Sequence, residues 1–190
     1  MIAELIKKNR SYRRFYQDVS ISMETLRELV NLARLSGSAA NLQPLKYILS
    51  CTPEKNALIF PHLSWAGYLK DWDGPSEGER ASAYIITLGD TAISKSFRCD
   101  HGIASQSILL GAVEKGLGGC MVGTVQRDKL RKALSISERY EILLVIAIGK
   151  PKETVVIDIV GPEGSIKYWR DEKDIHHVPK RSLDDIILNA

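Results

Sequence analysis

The chain has 190 residues, 44% apolar and 26% charged, enough for one domain with its own core or for one subunit of a dimer with a shared core. Its net charge of +3 comes from Lys and Arg residues that alternate with Asp and Glu, which argues against nucleic acid as a partner. No run approaches the roughly 20 apolar residues of a membrane span.

Residues 2–9 predict a short amphipathic helix rather than a signal peptide, ending in the basic cluster Asn9-Arg10-Ser11-Tyr12-Arg13-Arg14-Phe15. Ser22 predicts the cap of a second helix, with Glu24 in its first turn and an apolar stripe of Leu26, Leu29, Val30 and Ala33. The stretch Ser36-Gly37-Ser38-Ala39-Ala40-Asn41-Leu42-Gln43-Pro44 follows. Its small residues leave backbone amides accessible, and its Asn and Gln add amide donors and acceptors, a combination that suits a flat polar heterocycle. By itself it also reads as a helix end followed by a turn. A strand is expected at Tyr47–Cys51, and Thr52-Pro53-Glu54 starts another short helix. From Phe60 to Arg80 the pattern is irregular, with Trp65, Tyr68 and Trp72 among glycines and acids, as in a lid or binding loop.

Ala83–Gly89 reads as a buried strand. The longest helix is expected from Arg98 to Lys115, facing its neighbours through Ile103, Ser107, Leu110 and Val113 with Ala104 and Ala112. Gly116-Leu117-Gly118-Gly119 stops it, Cys120-Met121-Val122 is a short strand, and a helix over Arg127–Leu134 leads to a strand over Ile142–Ile148. The last forty residues predict strands at Val155–Val160 and Ile166–Trp169. A terminal helix is expected from Ser182, capped reciprocally with Asp185. This tail has too little apolar surface for its own core, so it must pack on the rest of the domain or on a partner. Strands separated by helices imply an α/β or α+β fold.

Several chemistries are excluded. The Gly116–Gly119 cluster follows a helix and has Met121 at the sixth position, so a dinucleotide fingerprint fails; no P-loop and no G-x-S-x-G elbow occurs. His62, His101, His176 and His177 make no H-x-x-x-H pair, and adjacent His176 and His177 point to opposite faces if extended, so no metal site is expected. Cys51, Cys99 and Cys120 never form Cys-x-x-Cys and read as small buried hydrophobes of a reducing, cytoplasmic protein. Arg10 and Arg13, with Ser11 between, can bracket a phosphate through charge-assisted hydrogen bonds. Lys180-Arg181 is a second basic pair. Either cluster also reads as a solvated basic surface.

In order along the chain, these pieces resemble the nitroreductase family of flavoproteins. Arg10-Ser11-Tyr12-Arg13-Arg14-Phe15 resembles its R-S-x-R-x-F, and Ser38 to Pro44 its S-x-x-N-x-Q-P. Asp100 to Leu110 resembles the central helix beginning D-x-G-x-A. Gly116 to Gly123 resembles G-L-G-T-C-x-I-G, and Ile146 to Pro151 the closing A-I-G-x-P strand. The resemblance implies an α+β fold, a three-layer sandwich of a mixed sheet covered by helices, as a single domain over 1–190. It implies an intertwined homodimer in which residues about 152–190 extend onto the partner. It also implies FMN, held at its phosphate and ribityl by Arg10, Ser11 and Arg13, with Arg181 and Lys180 completing the clamp. Ser38, Ala39, Asn41 and Gln43 would contact the ring from the other subunit, and backbone near Val122, Gly123 and Thr124 would face it. Hydride would pass from NADH or NADPH through flavin N5 to a small electron-poor acceptor such as a nitroaromatic or quinone, so no catalytic side chain is expected. Gly37 and Leu45 stand where the family has Pro and Trp, Thr124 where a second Gly is common, and the segment between Cys51 and Ala83 is shorter than in many members. That shortened segment motivates an alternative: a non-catalytic flavin-binding protein, a reservoir or sensor.

Overall fold

The chain, in a computed structural model describing residues 1–188, alternates helices and strands up to Pro151. The helices are Ile2–Lys8 (α1), Met23–Arg34 (α2), Pro53–Ile59 (α3), Asp100–Glu114 (α4) and Arg127–Ala133 (α5). The strands are Phe15–Tyr16 (β1), Leu45–Ser50 (β2), Ala83–Asp90 (β3), Gly118–Val122 (β4) and Tyr140–Pro151 (β5). A tail adds Val155–Ile159 (β6), Trp169–Arg170 (β7) and His176–Lys180 (β8).

Local chemistry sets the boundaries. The Ser22 hydroxyl accepts the Thr25 amide at 3.0 Å, and Thr52 caps α3 with Pro53 in its first turn. At the end of α4, Gly116 takes φ +71°. The Gly116 amide then donates to Val113 and the Leu117 amide to Ala112, the paired bonds of a Schellman motif.

The main sheet runs β1-β5-β3-β2, with β4 also on β5, and every one of its ladders is antiparallel. The expected mixed sheet is therefore not what forms. The α4 crossover does make β3 and β4 parallel to each other, but β5 inserts between them and opposes both. Parallel pairing occurs instead in the tail, where β6 runs alongside β8.

Side chains alternate across β3 and β5. Tyr84, Ile86, Leu88, Ile142, Val145 and Ala147 meet Ile59 of α3 and Leu130 of α5 on one face. Ala83, Ile85, Leu144, Ile146 and Ile148 meet Leu26 and Leu29 of α2 and Ile108 and Ala112 of α4 on the other. The buried side of α4 is Ala104, Ser105, Ile108, Leu109, Gly111 and Ala112. Ile103 is exposed and Ser107 and Leu110 are only partly covered, so the expected stripe lies one step around the helix. Close approach decides this: a Cβ on Gly111 would stand 2.3 Å from Leu32 Cδ1.

The tail packs on its own chain. Tyr168 lies 4.9 Å from the Tyr68 ring and the Arg170 guanidinium 4.5 Å from the Trp72 ring. Ser182 and Asp185 do exchange hydrogen bonds, at 3.1 and 3.2 Å, but only a turn results where a helix was expected. Leu183 and Ile186 are exposed, so no apolar surface supports further turns. The expected strand at Ile166–Trp169 reduces to Trp169–Arg170, and of the three cysteines only Cys120 is buried. Among the described residues, no helix is long and apolar enough to cross a membrane, and no cluster of His, Cys, Asp and Glu could hold a metal ion.

Candidate functional site

The segment after α1 is fixed by main-chain bonds to β4. Ser11 forms a parallel bridge with Gly119, and the Tyr12 amide donates to the Gly119 carbonyl at 3.0 Å. Glu153, buried just after β5, accepts the backbone amides of Arg13 and Arg14 and the Arg170 guanidinium at 3.0 Å. A carboxylate beneath the segment thus ties it to the tail and leaves the Arg10 and Arg13 side chains to face outward.

They line a cavity of about 320 Å³, together with Asn9, Ser11, Gln106, Met121, His176 and Lys180. Arg13 Nη1 lies 3.4 Å from His176 Nε2, and its guanidinium lies 5.0 Å from the Tyr168 ring. Burial first, then the Arg13 and Arg170 charges, pushes the His176 pKa down to about 4. The ring is therefore neutral at pH 7 and accepts from Arg13 through Nε2, which leaves the proton on Nδ1. That Nδ1 and the Arg10 Nε are buried without a hydrogen-bond partner among the described residues. The cavity is thus rich in donors and cations and poor in acceptors, the complement of a phosphate.

The loop before β2 builds a second cavity of about 210 Å³, lined by Ser38, Gln43, Tyr47 and Asp100 among others. Ala40, Asn41 and Gln43 all sit at φ between +49° and +54°, a region that costs Ala and Gln steric energy. Asp100, at the start of α4, holds them there. It accepts the Ser38 hydroxyl at 2.6 Å and the Ala39 amide at 3.0 Å, while Ser38 Oγ accepts the Gln43 amide at 2.9 Å. Gln43 Nε2 also donates to Asn41 Oδ1 at 3.1 Å. Burial and the Asp100 charge push the Tyr47 phenol up to about 12.

The structure thus brings Arg10, Ser11, Arg13 and Lys180 together in one cavity and Ser38 and Gln43 in another, with Ala39 and Asn41 on the same loop but outside its wall, and the two cavities share no wall residue. Arg181 is exposed and lines neither. The Val122 side chain points into the core, whereas its neighbour Met121 lines the first cavity. The Gly123 and Thr124 carbonyls accept Arg127 and the Ser64 amide, but their amides make no hydrogen bond among the described residues. A Cβ on Gly123 would meet nothing within 4 Å, so the backbone is open to a close approach. In the irregular segment Trp65 is buried in the core and Trp72 packs against it, while half-exposed Tyr68 lies against Tyr168 in the wall of the first cavity.

Sequence reasoning missed His176, Glu153 and the anchoring role of Asp100. The strand alternation at His176-His177 marked one of the two as inward-facing, but nothing in the sequence joins it to Arg13. Met121 was recoverable from the same alternation along β4.

The sequence profile of the Nitroreductase family matches residues 6–150. An Archaeoglobus fulgidus protein, provisionally named an NADH dehydrogenase/NAD(P)H nitroreductase, is 29% identical over 188 residues, covering 97% of this chain and 94% of its own. Among solved structures, an FMN-dependent nitroreductase of Clostridium difficile R20291 is 25% identical, with a TM-score of 0.63 over 80% of this chain and 88% of that one. A provisionally named nitroreductase of Exiguobacterium sibiricum, solved in complex with FMN, is 21% identical, with a TM-score of 0.69 over 90% of this chain and 97% of that one.

Proposed function

The chain belongs to the nitroreductase family, and on that premise we propose that it is an FMN-dependent oxidoreductase passing hydride from NADH or NADPH through flavin N5 to a small electron-poor acceptor, a nitroaromatic or quinone. The observation that carries this reading is the cavity where Arg10, Ser11, Arg13 and Lys180 converge around a buried, unpartnered Arg10 Nε. Arg10 and Arg13 would hold a phosphate by charge-assisted hydrogen bonds, and Lys180, with Arg181 beside it, would add positive charge from the tail. The free Gly123 and Thr124 amides and the open space at Gly123 suit a flat ring laid against the backbone. The names of the relatives, which include an FMN-dependent nitroreductase and an FMN complex, point the same way.

The Ser38–Gln43 loop would reach the same flavin from a second copy of the chain, because its cavity is separate from that of Arg10 within one chain. Its strained backbone, held by Asp100, offers Asn41 and Gln43 amide groups in fixed positions. A homodimer is also supported by the outer edge of β2, unpaired among the described residues, and by the exposed Leu183, Ile186 and Leu188 of the tail. The chain's own part in the reaction is to bind and orient the cofactor.

Purified protein should be yellow or take up FMN, and under anaerobic conditions NADH or NADPH should bleach it. Colourless protein that takes up no FMN overturns the reading. Yellow protein that neither nicotinamide bleaches selects the non-catalytic alternative instead. Light scattering should report a dimer.

A further inference from the structure

A third cavity, of about 300 Å³, lies at the far end of the β2–β3 pair, away from the Ser38 loop. Its walls come from the β1–α2 loop (Gln17, Asp18, Ser20), from the end of β2 and α3 (Cys51, Pro53, Asn56, Ala57), and from Arg80 and Tyr84 beside and within β3. It shares no wall residue with the two cavities already described. Its size is at the lower end of the range for small-molecule sites.

Its polar groups divide into satisfied and unsatisfied ones. Asn56 is engaged at both ends of its amide: it accepts the Ser50 hydroxyl at 2.7 Å and donates to the Ser82 carbonyl at 2.7 Å. Gln17 Oε1 accepts the Gly78 amide at 2.8 Å and the Arg80 amide at 3.1 Å, so it fixes the Arg80 backbone. The Arg80 guanidinium rests 4.3 Å over the Phe60 ring. It makes no hydrogen bond or ion pair among the described residues, and its Nε is buried. Tyr84 is 1% exposed, and its hydroxyl is buried without a partner. Burial pushes the phenol pKa up, against the pull of the Arg80 charge, so the hydroxyl keeps its proton and can donate.

The wall therefore presents a guanidinium and a phenol, both donors without an acceptor among the described residues, while the wall's carboxylate, Asp18, lies exposed at the rim and does not reach them. Buried donors left without acceptors are costly. We propose that this cavity binds a small organic monocarboxylate, with its carboxylate between Arg80 and Tyr84 and its apolar part against Pro53, Ala57 and Ala81. A single negative charge fits best, because Asp18 stands exposed at the rim, unpaired with Arg80, and repels a second one.

Cys51, half-buried in the wall, gives a readout located at the cavity, and exposed Cys99 is the internal control. The full chain would be alkylated with iodoacetamide at increasing benzoate, and each cysteine followed by peptide mass spectrometry. Benzoate should slow labelling of Cys51 and not of Cys99, and neutral benzamide and inorganic phosphate should protect far less. Arg80→Met should raise the benzoate concentration needed by roughly tenfold to a hundredfold, the range of a charge-assisted bond. Tyr84→Phe should also weaken protection while leaving the Tm of the unliganded protein unchanged or higher, since it deletes an unsatisfied hydroxyl. Arg13→Met, at the other cavity, should leave protection intact. Cys51 labelling that benzoate never slows overturns the proposal and leaves the cavity to ordered water only. Protection lost with Arg13→Met and kept with Arg80→Met overturns it by moving the binding elsewhere.

Discussion

The Ser38 hydroxyl donates to Asp100 at 2.6 Å, so the first residue of the longest helix holds the loop that precedes β2. The same carboxylate takes the Ala39 amide at 3.0 Å, and Asp100 is 3% exposed. Asp100→Ala would leave both donors unsatisfied beside three left-handed residues, at a cost of about 2–3 kcal/mol. Asp100→Asn keeps one carbonyl acceptor and should cost about half as much. Urea denaturation of the two variants and the parent checks the order. Limited proteolysis should cut near Asn41 first in the alanine variant.

Arg13 is the test of the phosphate reading. Arg13→Ala should weaken FMN by about 1.5–3 kcal/mol, the worth of a hydrogen bond to a charged group, and should change riboflavin affinity much less. Flavin fluorescence titrations with the two ligands give both numbers. Equal losses for FMN and riboflavin would take Arg13 away from the phosphate.

Much of this was legible in the sequence, and the exceptions have physical causes. Ser22, Thr52 and Gly116 act within a few residues, so their caps and stops could be read locally. The short apolar runs Ala83–Gly89 and Ile142–Ile148, rich in β-branched residues, read as buried strands and lie within β3 and β5. α4 was misread by one step because apolar residues lie on more than one of its faces, and the small Gly111 against Leu32 settles the facing only once α2 is in place. Ser182 and Asp185 formed the expected reciprocal bonds, but capping supplies a start and not the apolar contacts that extend a helix. At the site, Arg10, Ser11 and Arg13 are adjacent and stood out together. Lys180, like His176, joins them across more than 160 residues through β8, a relation that no local pattern holds.

Gly119 has no room for a side chain. A Cβ there would stand 2.5 Å from the Ala147 carbonyl oxygen and 2.6 Å from Leu109 Cδ2. Leu109 can turn away, but Ala147 belongs to the β4–β5 ladder and cannot. Gly119→Ala should therefore cost about 2–3 kcal/mol, at the upper end for overpacking. It should also displace Ser11 and Tyr12, which bond to this residue, and so weaken flavin binding. Gly123→Ala is the matched control, with nothing within 4 Å of its Cβ, and should fold as well as the parent.

His176 gives the protein a pH dependence of defined sign. Its pKa is about 4 in the folded chain against 6.5 for the free side chain, because it is buried beside Arg13, Arg170 and His177. Between those values the unfolded chain takes up a proton that the folded chain does not. Stability from this residue is thus fully present above pH about 6.5 and is lost as pH falls through the window to about 4. The loss should amount to at most about 3 kcal/mol, the free energy of a shift of that size. His177 is held by Asp158 at 2.8 Å, shifts upward and titrates in the opposite sense. The Glu79 carboxylate, held down to about 2 by Arg14, loses its contribution only as pH falls below about 4.5. Both groups remain in His176→Gln, so the difference between parent and variant isolates the buried ring. Urea midpoints across this pH range should fall more steeply for the parent than for His176→Gln. Parallel curves would mean that His176 charges freely in the folded state and does not accept from Arg13.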